Sequence, residues 1–195
     1  MGHPAEHLVA ESQDSRSRLV EAATAVFLEE GYRASVDRIA ARAGVAKQTF
    51  YNHFPSKGDA FAEVVRHGTA SILVSLEGDG APLRERLQRF AFAFRQKVLG
   101  AEGIAFFRAV VAEAPRFPEL TKAFYASGPA QTIRRLAAVL EEAMEAGELR
   151  RDDPVFAAQM LTGMLIEGER TARLFSDKSF APPKPAEAGR ILDAF

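Results

Sequence analysis

A short stretch between residues 46 and 54, predicted to be helical, concentrates side chains that form directional hydrogen bonds. The two aromatic residues of the stretch, Phe50 and Phe54, are four apart and share one inward face, which leaves the polar residues on the other faces. Gln and Asn pair bidentately with adenine, Lys reaches guanine or a phosphate, and Thr and Tyr hydroxyls bind phosphate oxygens. The stretch therefore predicts contacts to base edges and phosphates, made by Lys47, Gln48, Thr49, Tyr51, Asn52 and His53.

A second short helix is predicted directly before this stretch, and the two are joined by a tight turn. Ser35 is a good N-cap, and apolar residues recur at helical intervals from Val36 to Ala43. Gly44 then ends the helix, because glycine adopts the left-handed conformation that such a turn requires. This arrangement is a helix-turn-helix, which places its second helix in the DNA major groove. On the first helix, Ser35 and Arg38 are candidates for further DNA contacts.

The residues around this unit extend the pattern. GY at 31–32, RIAARAGVAKQTFYNHF at 38–54 and PSKGDAF at 55–61 resemble the N-terminal domain of TetR-family transcriptional regulators, over about residues 15 to 60. The resemblance implies a homodimer that binds a near-palindromic double-stranded operator and responds to a small-molecule effector. Ala46 departs from the pattern, since the family usually has Ser or Thr there, and a missing N-cap costs about 1 kcal/mol. The alternative is a three-helix packing unit that does not contact DNA.

The charge of the chain is local. The net charge is -1, yet residues 33–57 carry five basic side chains against Asp37 alone, which gives +4. A basic cluster on a helix-turn-helix favours phosphate binding, although a solvated helix face shows the same pattern. Lys57 follows the plausible N-cap Ser56, and the start of a helix is a natural anion site, so we expect Lys57 to contact phosphate.

Composition limits the other functions. A chain of 195 residues with 47% hydrophobic content and no cysteine has no disulfide or thiolate chemistry. It lacks a run as long as a membrane span and a basic-then-apolar leader, so a cytoplasmic location is expected. No nucleophile elbow, phosphate-binding glycine loop or metal-ligand cluster is evident, so we expect neither catalysis nor a cofactor nor a metal. His3 and His7 are four apart, but without a third ligand they are interpreted as incidental.

Glycine and proline positions divide the chain into about nine helices without strands, so the predicted fold is all-α. Residues 1–59 are predicted to form the helix-turn-helix domain, with 1–13 as a mobile polar tail and the first helix over 14–30. Residues 60–195 are predicted to form a helical domain for effector binding and dimerisation.

The predicted second domain is rich in aromatic residues, of the kind that line apolar ligand pockets. Ordinary core packing is the alternative for each of them, and the family resemblance is what favours a pocket. Arg95 and Arg108 either meet an acidic ligand or are exposed helix charges. The candidate pocket residues are Phe92, Phe106, Phe107, Phe124 and Tyr125.

The helix predicted over 154–175 is apolar on nearly all sides, so it must be buried on several faces. The resemblance implies that this helix and the last one form a four-helix dimer interface, with Met160, Gly163, Met164 and Glu167 as candidates. The residues themselves predict DNA binding, and the resemblance implies a repressor that a small, largely apolar effector releases from DNA. The alternative function is a helical interaction protein, or a regulator that has lost its effector response.

Overall fold

The computed structural model describes residues 4–77, 80–176 and 180–195, with side chains from Gln13 onward. Over these ranges it contains ten α-helices, one 3₁₀ turn and no strand, which confirms the all-α prediction. None of the described helices is long and apolar enough to cross a membrane. The helices are α1 Pro4–Glu30, α2 Val36–Ala43, α3 Lys47–His53, α4 Lys57–Leu73, α5 Leu83–Leu99, α6 Ala101–Glu113, α7 Pro118–Ser127, α8 Pro129–Glu145, α9 Pro154–Leu174 and α10 Pro185–Ala194, with the 3₁₀ turn at Val74–Leu76.

The chain divides into two compact units. The first comprises residues 1–66 and 109–124, and the second comprises residues 67–108 and 125–195. The predicted boundary after residue 59 falls inside α4, which continues without a break to Leu73. Three helices, α4, α6 and α7, each contain residues of both units. Sequence reasoning did not assign residues 109–124 to the unit that carries the helix-turn-helix.

The first helix is longer than predicted. It begins at Pro4, ten residues before the predicted start at residue 14, and the mobility expected for residues 1–13 stays a prediction. Proline suits the first position of a helix, and extending a formed helix costs little per residue, so the absence of an apolar stripe did not prevent helix formation. Residues 1–3, and with them His3, lie outside the described residues, as does the side chain of His7.

The core of the first unit is built around the inward stripe of α1. Leu19, Ala22, Ala23, Val26 and Phe27 recur at the spacing of one helix face, and all five are buried. An aromatic cluster extends this core. The centroid of the Tyr32 ring lies 5.8 Å from that of Phe27, 5.5 Å from that of Phe61 and 5.2 Å from that of Phe117. Tyr32 is thus a packing residue. These ring contacts pack Tyr32 against α1, against α4 and against the residue that precedes α7.

The core of the second unit contains a buried cation that the sequence did not reveal. Arg95 is 1% exposed, so of the two alternatives for this residue the exposed helix charge is wrong. Its guanidinium donates to the carbonyl oxygen of Leu165 at 2.6 Å and to the carboxylates of Glu169 and Glu187. These bonds join α5 to α9 and α10, and a buried charge is tolerated because it is paired in this way. The same unit contains a cluster of buried apolar residues, which includes Leu87, Phe90, Leu136, Leu140, Leu161 and Leu165.

Candidate nucleic-acid interface

The turn between α2 and α3 has the backbone geometry that the sequence predicted. Ser35 caps α2, and its Oγ accepts a hydrogen bond from the Arg38 amide at 3.2 Å. Gly44 adopts φ 66° and ψ 34°, a left-handed conformation that a residue with a side chain rarely takes. The amides of Gly44 and Val45 donate to the carbonyl oxygens of Ala41 and Ala40, which closes the last turn of α2.

Helix α3 presents one buried and one exposed face. Phe50 is fully buried and Phe54, which follows the helix, is nearly so, as predicted. Opposite them lie four exposed polar side chains, while Thr49 and His53 are half-buried at the margins. Gln48 Nε2 donates to Asn52 Oδ1 at 3.1 Å, so the two amides are held side by side. The exposed face consists of Lys47, Gln48, Tyr51 and Asn52.

Helix α3 begins without a side-chain cap. Ala46 occupies the N-cap position with φ -71° and ψ 151°, the extended conformation in which Ser or Thr accepts a hydrogen bond from the helix. The backbone is therefore shaped for a cap that the side chain does not supply.

Each of the four basic side chains from Arg33 to Lys47 is paired with a carboxylate. Arg38 Nε donates to Glu30 at 2.7 Å, and Lys47 Nζ donates to Asp37 at 2.9 Å. These hydrogen bonds raise the pKa of Arg38 and the pKa of Lys47. The remaining pairs are Arg42 with Glu29 at 2.5 Å and Arg33 with Glu113 at 2.8 Å. Sequence reasoning missed the three glutamates, and counting them lowers the local charge from +4 to +1.

Lys57 points toward the protein. Its ammonium donates to the carbonyl oxygens of Tyr32 at 2.6 Å and Ala34 at 3.3 Å, and it lies 4.4 Å from the centre of the Tyr32 ring. Burial lowers the pKa of Lys57, and the charge of Glu119 opposes that shift. In this conformation the amine binds the loop between α1 and α2, so a phosphate contact would require it to turn outward. That contact stays a prediction.

The predicted effector residues lie on three helices. Phe92 is on α5 and packs against the core of the second unit, while Phe106 and Phe107 are half-buried on α6. On α7, Phe124 is half-buried and Tyr125 is exposed. Phe124 belongs to the first unit, and the other four belong to the second. Their role in a pocket stays a prediction.

Helix α9 has an exposed apolar face. Val155, Phe156, Met160 and Met164 are between 41% and 54% exposed, although most of the opposite face is buried. Gly163 is on the exposed side, and a Cβ added there would meet no atom of another described element within 4 Å. Glu167 is also exposed. The predicted interface residues thus lie on the part of α9 that the described residues leave exposed.

A capped helix, a glycine turn and a second helix with an exposed polar face define a helix-turn-helix DNA-binding protein. A family model described as "Bacterial regulatory proteins, tetR family" matches residues 19–64, and one described as "AefR-like transcriptional repressor, C-terminal domain" matches residues 85–194. The chain belongs to the TetR family of transcriptional regulators.

Individual relatives agree with this assignment. The HTH-type transcriptional repressor DhaR of Mycobacterium sp. (strain GP1) is 34% identical over 160 residues, which span 77% of this chain and 76% of that protein. The solved structure of the flavonoid-responsive regulator FrrA is 35% identical, covers 92% of each chain and has a TM-score of 0.68. A putative TetR-family regulator from Mesorhizobium loti is 28% identical, covers 94% of this chain and 93% of its own, and has a TM-score of 0.73. The protein is a DNA-binding transcriptional regulator.

Proposed function

We propose that this regulator is a homodimeric repressor that binds a near-palindromic operator through α2 and α3 and is released by a small, largely apolar molecule. The exposed polar face of α3 carries the DNA-binding part of the proposal. Phe50 anchors the helix, so Gln48 and Asn52 are presented on a fixed support, and their amides match the donor and acceptor pattern of adenine. Lys47, Thr49, Tyr51 and His53 lie beside this amide pair on α3. Ser35, the N-cap of α2, and Arg38 on α2 are exposed and complete the set of proposed contacts.

The exposed face of α9 supports a dimer. A glycine inside a helix costs about 1 kcal/mol relative to alanine, and no contact among the described residues requires the small size of Gly163 or Gly168. A second copy of α9 that approaches closely would explain both glycines and would cover Met160 and Met164. One recognition helix reads only half of an operator, so dimerisation also fits the function.

The continuity of α4, α6 and α7 through both units supports effector control. A ligand bound among the aromatic residues of the second unit displaces the segments of these helices near it, and each helix continues into the unit that carries α3. Two half-sites one turn apart, about 34–36 Å, tolerate little change in the spacing of the recognition helices. A relative is named as flavonoid-responsive, so flat aromatic polyphenols are the first class of effector to screen.

Selection of bound DNA from a fragmented genome or a random duplex library, at near-physiological salt, tests the proposal. Enrichment of a near-palindrome with half-sites about one turn apart is the expected result. Weak, salt-sensitive binding without enrichment, both alone and with the polyphenol panel, would instead favour a helical interaction protein. Enriched binding that no compound in a broad effector screen changes would favour a ligand-independent regulator.

A further inference from the structure

The two glutamates at the end of α1 are placed where a helix gains least from them. Glu29 and Glu30 lie in the last turn of α1, which contains no basic residue. The C-terminal end of a helix carries partial negative charge, so carboxylates there are unfavourable for the helix itself. Stabilisation of α1 therefore does not explain why glutamates occupy these two positions.

The two glutamates are explained instead by the arginines of α2 with which they pair. Arg38 and Arg42 are four apart on α2 and lie on one exposed face of it, and each donates to one of the two glutamates. All four side chains are on the solvent side of the helix-turn-helix, where none is less than a third exposed. Guanidinium groups in this place are suited to DNA phosphates, and a carboxylate occupies the same donors that a phosphate needs.

We propose that Glu29 and Glu30 are internal competitors of DNA phosphate, which hold Arg38 and Arg42 in the free protein and thereby limit the sequence-independent part of its DNA affinity. This inference rests on the docking of α2 and α3 on DNA. In the complex the arginines transfer from carboxylate to phosphate. The freed glutamates remain charged beside the DNA and retain solution cations, which offsets part of the counterion release that drives binding. Tight binding of DNA by this protein therefore depends on the base contacts that α3 makes.

Neutral variants of the glutamates test this competition. Glu30→Gln and Glu29→Gln keep the size of the side chain, and we expect each to raise the affinity for an unrelated duplex by about 2-fold to 5-fold, as exposed ion pairs are weak. The operator affinity should rise by a similar factor. The plot of log K against log salt should become steeper by up to about 0.9 for each arginine released from its carboxylate. Fluorescence anisotropy at several salt concentrations measures both quantities.

Two controls separate competition from other effects of the charge change. Glu21→Gln removes the same charge from an exposed position two turns earlier on α1 and should change neither the affinity nor the salt slope beyond a small long-range effect. In an Arg38→Gln background, Glu30→Gln should lose most of its effect, because its arginine is gone. An effect of the same size in that background would show general repulsion and overturn the proposal.

A purely structural role predicts the opposite result. If the glutamates only tie α1 to α2, the neutral variants will melt at a lower temperature than the parent protein. Their affinity for each duplex will be the same as that of the parent or lower, and the salt slope will not change. Either glutamate alone is sufficient for the test, so instability of one variant leaves the other informative. The unrelated duplex reports on the competition whether or not an operator is selected, so failure of this inference is distinguishable from failure of the proposed function.

Discussion

At the scale of the residue, the amide pair on α3 is where sequence preference should originate. Gln48→Ala removes one bidentate candidate and the hydrogen bond to Asn52, so discrimination at the matching base pair should fall by about 1–3 kcal/mol. Affinities for the operator and for a set of single-base variants measure this change. Tyr51→Phe is the matched control on the same exposed face, since loss of a phosphate contact should weaken operator and unrelated DNA alike. Equal loss on all sequences for Gln48→Ala would contradict its assignment to base reading.

Individual residues differ in how well the sequence alone predicts their surroundings. The burial of the α1 stripe and of Phe50 follows from spacing within one helix, and Phe54, directly after α3, is buried as predicted. The partner of a charged residue depends on tertiary structure: Arg33 and Glu113 are 80 positions apart, and no local pattern connects them. Lys57 followed the pattern of a helix-start cation, but carbonyl oxygens of Tyr32 and Ala34 lie within its reach and receive its hydrogen bonds. Local periodicity thus predicted the buried faces of the helices, whereas the charge pairs required the folded structure.

At the scale of the element, the uncapped start of α3 gives a stability prediction. The extended backbone of Ala46 is already suited to a capping side chain, so Ala46→Ser should stabilise the fold by about 1 kcal/mol. The measurement is the thermal midpoint of unfolding of the variant against the parent. Ala41→Ser is the control, because it places a serine at an exposed position inside α2, where serine is a poorer helix former than alanine. A lower midpoint for Ala46→Ser would show that the start of α3 has no free amide for a cap to satisfy.

The start of α10 predicts a dependence of stability on pH. Glu187 accepts hydrogen bonds from the Lys184 amide at 3.1 Å and from Arg95 at 2.8 Å, and these bonds lower the pKa of Glu187 from its usual 4.5. A carboxylate whose pKa is lower in the folded state stabilises the fold at pH values above its unfolded-state pKa. This stabilisation is lost as the pH falls through the folded-state pKa. Glu187→Gln should therefore lower the free energy of unfolding by about 1 kcal/mol at pH 7. The effect is modest because the carboxylate is 44% exposed.

Thermal unfolding at a series of pH values checks this expectation. The difference between the parent and Glu187→Gln should shrink as the pH falls below 4.5, because protonation removes the same charge from the parent. Glu141→Gln, at an exposed position of α8, should track the parent throughout. A difference that stays constant down to acidic pH would show that packing of the side chain, and not its charge, stabilises α10.

At the scale of the whole molecule, operator binding should depend on the exposed face of α9. Met164→Glu places a charge among Met160, Gly163 and their counterparts in a second copy, where burial of an unpaired carboxylate is costly. We expect the variant to be monomeric and its operator affinity to fall by about 100-fold or more, because two linked half-site contacts become one. Light scattering coupled to size-exclusion chromatography gives the mass, and anisotropy gives the affinity. Val74→Glu adds the same charge at an exposed apolar residue outside α9 and should leave both properties unchanged. A Met164→Glu protein that remains dimeric would place the interface elsewhere, whereas a monomer with full operator affinity would show that a single helix-turn-helix is sufficient for binding.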